Sequence, residues 1–469
     1  MQAGTAFLRR RGLELVGHLG ARDGLARKLA VATLATAGIR FAGMAAMFLV
    51  GVQLAHYLGP AGYGVYGTAL ALAMVIAVPA QLGLPQLVTR EVSAFLEAAN
   101  YGRVKGAVLW FAAVVLTGSL AVAVLASVGI VLWDLTSSKS PSNAYYIGMV
   151  MVPLLALTTL GMSILRGFQR ISSGQLYDSL LRPIAFALFL FLWRMRTSHV
   201  DPETAMGLQV AAGFVILAIC AWQIHRIFPR EVRAAKASAH RREWVASAAP
   251  MAGTEILRTV ESQYPMLLLG FLLAPTDVGL FRVAMSMVGF IGLPGTLLNI
   301  VIMPFAAQFH AAGDRRRLQR LATTSALAMS AMVWTITLGV ILFGKPFIGA
   351  TFGRAFVPAW SPLVLMGLAY SINALFGPSA TMLNMCGGER SLTVIQCAGL
   401  AIGVTVTVVL APDLGLNAAA VGMIVSEAVK SFAAASIVRR RLGVEMCVCS
   451  PAMLRYVLGA WAKPSQPGK

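Results

Sequence analysis

The chain has 469 residues, of which 58% are hydrophobic and only 12% charged, with a mean hydropathy of +0.76. Soluble proteins carry about a quarter charged residues, so most of this surface must face something other than water. The formal net charge of +20 could suit nucleic acid, but its confinement to alternate loops excludes that partner and reads instead as membrane topology.

Residues 1–30 carry Arg9, Arg10, Arg11, Arg22, Arg27 and Lys28. They read as a basic cytoplasmic leader, because the apolar stretch that follows is too long for a signal peptide and lacks a clean small-residue cleavage site. Twelve spans follow, at roughly 31–55, 65–89, 106–133, 145–165, 177–193, 204–224, 246–273, 278–304, 321–343, 361–385, 391–411 and 417–438. Most reach or approach the ~20 residues that cross about 30 Å of hydrocarbon. The fold class expected is therefore an all-α polytopic membrane protein with about 12 transmembrane helices. Lys and Arg fall overwhelmingly on one set of loops, which makes those loops and both termini cytoplasmic. A multi-pass protein of a bacterial inner (cytoplasmic) membrane is the expectation.

An internal repeat organises the spans. Leu58-Gly-Pro-Ala-Gly-Tyr-Gly-Val-Tyr66 matches Leu273-Ala-Pro-Thr-Asp-Val-Gly-Leu-Phe281 without gaps, an offset of 215 residues that also carries Pro79 onto Pro294. The second copy begins at span seven, so the spans divide into two pseudo-symmetric six-helix lobes, 31–224 and 246–438. A basic loop at 225–245 joins them, and a tail at 439–469 follows, whose apolar stretch 451–461 suits a membrane-surface helix. Parallel lobes of this kind belong to transporters that rock around a central cavity. Pro79, Pro85, Pro294 and Pro304 mark the second helix of each lobe as a bending element.

Intramembrane charges are the candidate site residues. Arg40 lies about ten residues into span one, Arg258 in the middle of span seven, and Arg282 near the outer end of span eight. In "GTEILRTVESQY" (253–264), Glu255, Arg258 and Glu261 are spaced i, i+3, i+6 on one face, with each Glu beside the Arg. The repeat offset places Arg40 opposite Glu255, which suggests an ion pair across the cleft. Glu427 and Lys430 form a similar pair in span twelve. Trp110, Trp133, Trp193, Trp222, Trp244 and Trp360 sit near span ends, where interfacial anchors belong. Cys220, Cys386, Cys397, Cys447 and Cys449 form no disulfide or metal framework, and no cofactor or metal is expected.

Several stretches carry a family resemblance. "HYLGPAGYGVYGTALALAMVIAVPAQLGLPQLVTRE" (56–91) resembles the first helical hairpin of the polysaccharide-lipid (Wzx-type) flippases of the multidrug/oligosaccharidyl-lipid/polysaccharide superfamily. "LRGFQRISSGQLYDSLLRP" (165–183) resembles their inside loop between helices four and five, and 277–309 the start of their second lobe. The resemblance implies a V-shaped two-lobed bundle that moves a polyprenyl-diphosphate-linked oligosaccharide between leaflets, for a surface polysaccharide. Its implied partners are the lipid-linked substrate, membrane lipid, and polymerase or chain-length proteins. It further implies that Arg40, Arg258 and Arg282 bind the diphosphate, since arginine forks hold phosphate oxygens bidentately. Glu255 and Glu261 are then the coupling or gating groups. Two other readings stand beside it: a cation- or proton-coupled multidrug exporter of the same fold, and a membrane glycosyltransferase, polymerase or ligase. The outside loops offer Asp134, Asp201, Glu203, Asp277 and Asp413 only singly, which gives no carboxylate pair for the enzymes' acid–base work.

Overall fold

The computed structural model describes residues 2–136, 142–170, 176–197, 199–238 and 241–448. Side chains are described from residue 38 onward, apart from 178, 241–243, 245–247 and 249–250. The side chains of the basic leader, the stretch 451–461 and Cys449 therefore lie outside the described residues.

Among the described residues the chain is helical throughout. Fourteen α-helices run in order: α1 (Gln2–Gln81), α2 (Leu84–Glu97), α3 (Tyr101–Thr136), α4 (Asn143–Gly167), α5 (Arg182–Arg196), α6 (Pro202–Ile227), α7 (Arg230–Ala234), α8 (Arg241–Leu272), α9 (Pro275–Ala311), α10 (Arg315–Thr351), α11 (Trp360–Leu375), α12 (Ser379–Met385), α13 (Glu389–Leu414) and α14 (Asn417–Leu442). A π-helical turn (Tyr177–Leu181) leads into α5, and a 3₁₀ turn (Arg354–Ala359) leads into α11. Nine of the described helices are long and apolar enough to cross a membrane, as a multi-pass membrane protein requires. One of them, Gly38–Gln81, holds two crossings, because Gly59 (φ 64°, ψ 179°) interrupts it. The helix α5 is short on its own. In α8 the charges at 255, 258 and 261 lower the hydropathy of every membrane-length window.

The outside loop expected between spans one and two is a single residue. Gly59 takes a positive φ that costs glycine nothing, and Pro60 restarts the helix in the first-turn position that suits proline. The bend expected at Pro79 and Pro85 is instead a full break between them, where Leu82 (φ 50°) and Gly83 (φ 70°) both turn left-handed. A leucine at positive φ is strained. The break lets α2 turn back toward α8. A Cβ on Gly83 would stand 2.6 Å from Ala252 N and 2.7 Å from Ala248 O, so only glycine allows that contact.

The two copies of the repeat meet each other. A Cβ on Gly64 would lie 1.9 Å from Pro275 O, and one on Gly279 would lie 1.8 Å from Pro60 O. Those contacts interchange under the 215-residue offset, so a pseudo-two-fold axis passes between Gly64 and Gly279 and the interface is isologous in kind. Around it, Thr68 packs on Gly270, and Tyr63, Tyr66, Phe281 and Met266 are buried together in the largest core cluster. The helix ends opposite the basic loops are thereby sealed backbone against backbone.

At the basic-loop face, α8 crosses toward the first half. Trp244 is 2% exposed, its ring centroid lies 5.0 Å from that of Phe111, and its Nε1 donates to Glu91 Oε2 at 3.3 Å. It is thus a core residue rather than an interfacial anchor. Trp360 also packs inward, donating to Val340 O at 3.1 Å, while Trp133, Trp193 and Trp222 remain exposed as anchors would.

Forcing a side chain into the glycine seal tests its role. Gly64→Val should cost the closed arrangement about 1–3 kcal/mol of overpacking, roughly a tenfold shift in its population. In a variant whose native cysteines are serine, Leu70→Cys should then react faster with a membrane-impermeant maleimide added from the sealed side. Unchanged labelling would show that the seal lies elsewhere.

Candidate functional site

Between the halves lies a cavity of about 710 Å³. Its charged lining consists of Arg40, Arg182 and Arg282, and no Asp or Glu lines it among the described residues. Hydrogen-bonding groups come from Tyr63, Tyr66, Tyr370, Gln209, Gln263 and Ser286, interleaved with methionine, leucine and phenylalanine. Such a space offers three fixed positive charges, amphipathic aromatic walls and apolar surface together.

Each arginine has a local reason for its place. Arg282 is the counterpart of Gly67 in the repeat, and its stem lies on that glycine: a Cβ there would be 3.2 Å from Arg282 Cδ. One copy supplies the side chain and the other the room for it. Two arginines at these positions would repel beside the axis. The Arg282 guanidinium is close enough to Tyr63 and Tyr66 to act electrostatically on both, and those two rings stack at 6.5 Å. Tyr66 in turn stacks on Phe186 of α5 at 6.2 Å and also feels Arg182.

Arg182 stands where the π-helical turn becomes α5. That turn packs on α1 because Gly43 leaves space, since a Cβ there would meet Ser179 O at 2.3 Å. Single π turns of this sort recur at functional sites. Arg182 falls inside expected span five (177–193) but is not among the candidates, because the resemblance assigns 165–183 to an inside loop. The signal that could have found it is the arginine-proline pair opening an apolar helix.

The charges of α8 go elsewhere. Arg258 is ion-paired with Glu255 across one turn and is mostly exposed, outside the cavity. Glu255 also accepts from Gln86 of α2 at 3.3 Å, which bridges α8 to the first half. The expected Arg40–Glu255 pair is absent, and the axis explains why. It sets the first crossing of α1 against α9, where Gly51 meets Ser286 and Gly289 meets Met44. It sets the second crossing of α1, with α2, against α8, where Gly270 meets Thr68 and Gly83 meets Ala252, so the two lobe-leading crossings do not face each other. Glu261, expected beside Arg258, is paired instead with Lys430 of α14. Lys430 also binds Glu427 at 2.5 Å, and Glu427 accepts from Asn373 Nδ2 at 3.2 Å. The lysine stem lies on Gly399 of α13, where a Cβ would meet its Cγ at 2.4 Å. This network joins α8, α11, α13 and α14, and Tyr370, which lines the cavity, lies within its field.

Residues 29–310 match the family described as "Polysaccharide biosynthesis protein". The chain belongs to that family. Over 415 residues, 86% of this chain and 80% of the other, it is 22% identical to a protein of Haloferax volcanii described as the probable low-salt glycan biosynthesis flippase Agl15. Its fold matches the inward-facing conformation of a multidrug resistance MATE family transporter of the MOP superfamily, with a TM-score of 0.71 at 13% identity, covering 88% of this chain and 98% of that one. It also matches the lipid II flippase MurJ in an inward closed conformation, at 0.66 and 12% identity, covering 92% and 93%. The two-lobed all-helical fold implied by the sequence resemblance is therefore the fold of this polysaccharide biosynthesis family member.

Within it, the Glu261–Lys430–Glu427 network should dominate the stability of the second half. Removing one partner of a buried ion pair costs about 3–5 kcal/mol, because the remaining charge loses its compensation. Lys430→Met should lower the thermal unfolding temperature measured in detergent, and adding Glu261→Gln and Glu427→Gln should restore part of the loss. A Lys430→Met protein as stable as the wild type would show the network to be solvated.

Proposed function

We propose that the protein translocates a polyprenyl-diphosphate-linked oligosaccharide from the cytoplasmic to the periplasmic leaflet, for surface polysaccharide biosynthesis. The observation that carries this reading is the three-arginine cavity between the halves, free of carboxylates among the described residues. A diphosphate cannot cross hydrocarbon unaided, whereas a polyprenyl tail can stay in it. Arg40, Arg182 and Arg282 would hold the diphosphate through charge-assisted, bidentate bonds, and tyrosine and glutamine would meet the sugars. The name of the Haloferax volcanii relative favours the same class of cargo. A cavity for cationic drugs would need acidic groups, so the exporter reading is weaker.

In this reading the six-span lobes 31–224 and 246–438 rock about the Gly64–Gly279 contact, joined by 225–245, with the leader 1–30 and the tail 439–469 cytoplasmic. The protein is then a transporter of a bacterial inner membrane rather than an enzyme, working beside polymerase and chain-length proteins. Glu255 acts as a gate through its bond to Gln86, which separation of α2 from α8 must break. Glu261 acts in coupling: with Glu427 and Lys430 it makes a part-buried cluster of net charge −1 when both acids are ionised, which one proton would neutralise. Arg258, outside the cavity, has a structural rather than a substrate role.

Translocation of a short labelled polyprenyl-diphosphate disaccharide in proteoliposomes tests this. Arg182→Gln and Arg282→Gln should each slow it about tenfold or more, the effect of about 1.5–3 kcal/mol per hydrogen bond to a charged group. Arg282→Lys should recover part of the rate, and Arg258→Gln should change it less than about threefold. Full activity of both cavity variants would overturn the assignment.

A further inference from the structure

A second cavity, of about 320 Å³, lies away from the interlobe space, between α3, α4 and α6. Its walls are apolar, with Leu109, Ala112, Leu157, Leu217 and Ala221 among them. Leu109 is 56% exposed, so the groove opens sideways, toward lipid. Its back is closed where α4 meets α6, because a Cβ on Gly161 would stand only 2.7 Å from Cys220 Sγ. From Leu217 to Phe228 it runs about 16 Å at ~1.5 Å per residue. That is close to the ~15 Å depth of one leaflet of a ~30 Å hydrocarbon core.

The groove ends at the basic-loop face, at His225 and Arg233. Arg233 is held there rather than left to wander. Its neighbour Val232 is fully buried, and Lys105 Nζ donates to Arg233 O at 2.7 Å and Ala235 O at 3.1 Å, which ties α7 to the start of α3. Its guanidinium, which has five N–H donors, spends one on the His225 carbonyl. Beside the mouth, Arg226 lies 4.2 Å over the ring of Trp222, itself 54% exposed, as a residue at a headgroup boundary would be. Arg230 and Lys236 add to the charge of the same segment, against the single acid Glu231.

We propose that this groove holds one acyl chain of an anionic phospholipid of the basic-side leaflet, with the lipid phosphate against Arg233. The apolar walls would accept the chain of any lipid. The basic mouth selects the headgroup, as basic pockets between membrane helices do on the cytoplasmic side. The occupant is a resident phospholipid distinct from the transported cargo, since the groove lies on the lipid-facing surface of the first half and shares no lining residue with the three-arginine cavity.

Native mass spectrometry of the full chain, extracted from vesicles of equimolar phosphatidylglycerol and phosphatidylcholine, tests this. The wild type should retain phosphatidylglycerol over phosphatidylcholine. Arg233→Gln should cut that preference about fivefold, the attraction of one basic residue at a membrane surface, with total bound lipid unchanged. Ala221→Trp, at an exposed position of the groove wall, should abolish retention by filling the space. Arg282→Gln should alter neither. Equal retention of the two lipids by the wild type would overturn the headgroup assignment. Undiminished phosphatidylglycerol on an Ala221→Trp protein that unfolds at the wild-type temperature would overturn the groove.

Discussion

The backbone contact between Gly64 and Gly279 is the constraint on which the rest depends. With a Cβ at either position under 2 Å from a carbonyl oxygen of the other copy, the two hairpins can approach this closely only as glycines. That approach fixes the pseudo-two-fold axis, and the axis decides which helices are neighbours. The first crossing of α1 falls against α9, and α8 falls against the second crossing of α1 and against α2. The cavity lies between the halves beside this contact, with Tyr63, Tyr66 and Arg282 in its wall.

Pseudo-symmetry governs the backbone and is broken by side chains wherever charge is concerned. Gly67 and Arg282 occupy equivalent positions, yet one carries nothing and the other a guanidinium that lies across it. The result is a single cation beside the axis, flanked by stacked tyrosines. Charge is sorted in the same asymmetric way among the described residues. The cavity holds the arginines, while the acidic groups are drawn off into separate pairs, Glu255 with Arg258 and Glu261 with Lys430. Among the described lining residues, an anionic guest would meet arginines and no carboxylate.

The two interruptions of regular helix near the cavity serve the same end. The π turn before α5 presents Ser179 and Arg182 to the cavity and leans on Gly43. The break at Leu82–Gly83 brings α2 onto α8, where Gln86 reaches Glu255. Both place polar groups at membrane depth where neighbouring helices or the cavity can satisfy the freed backbone, the only setting in which a bilayer tolerates them.

The sequence by itself determined the all-helical, multi-pass membrane character, the repeat and two of the three cavity arginines, Arg40 and Arg282. Those properties are sums over local residues: hydropathy along a helix length, charge bias between loops, matched turns at a fixed offset. Only the tertiary structure decided the partners of the charges. Glu261 meets Lys430 across 169 residues, and Gln86 meets Glu255 across as many. Such pairings depend on helix rotation and on which face each copy turns to the axis, and neither is written in spacing along the chain. Arg182 lies in span five by hydropathy but in an inside loop by resemblance, and only the packing of Ser179 on Gly43 gives it a place in the cavity wall.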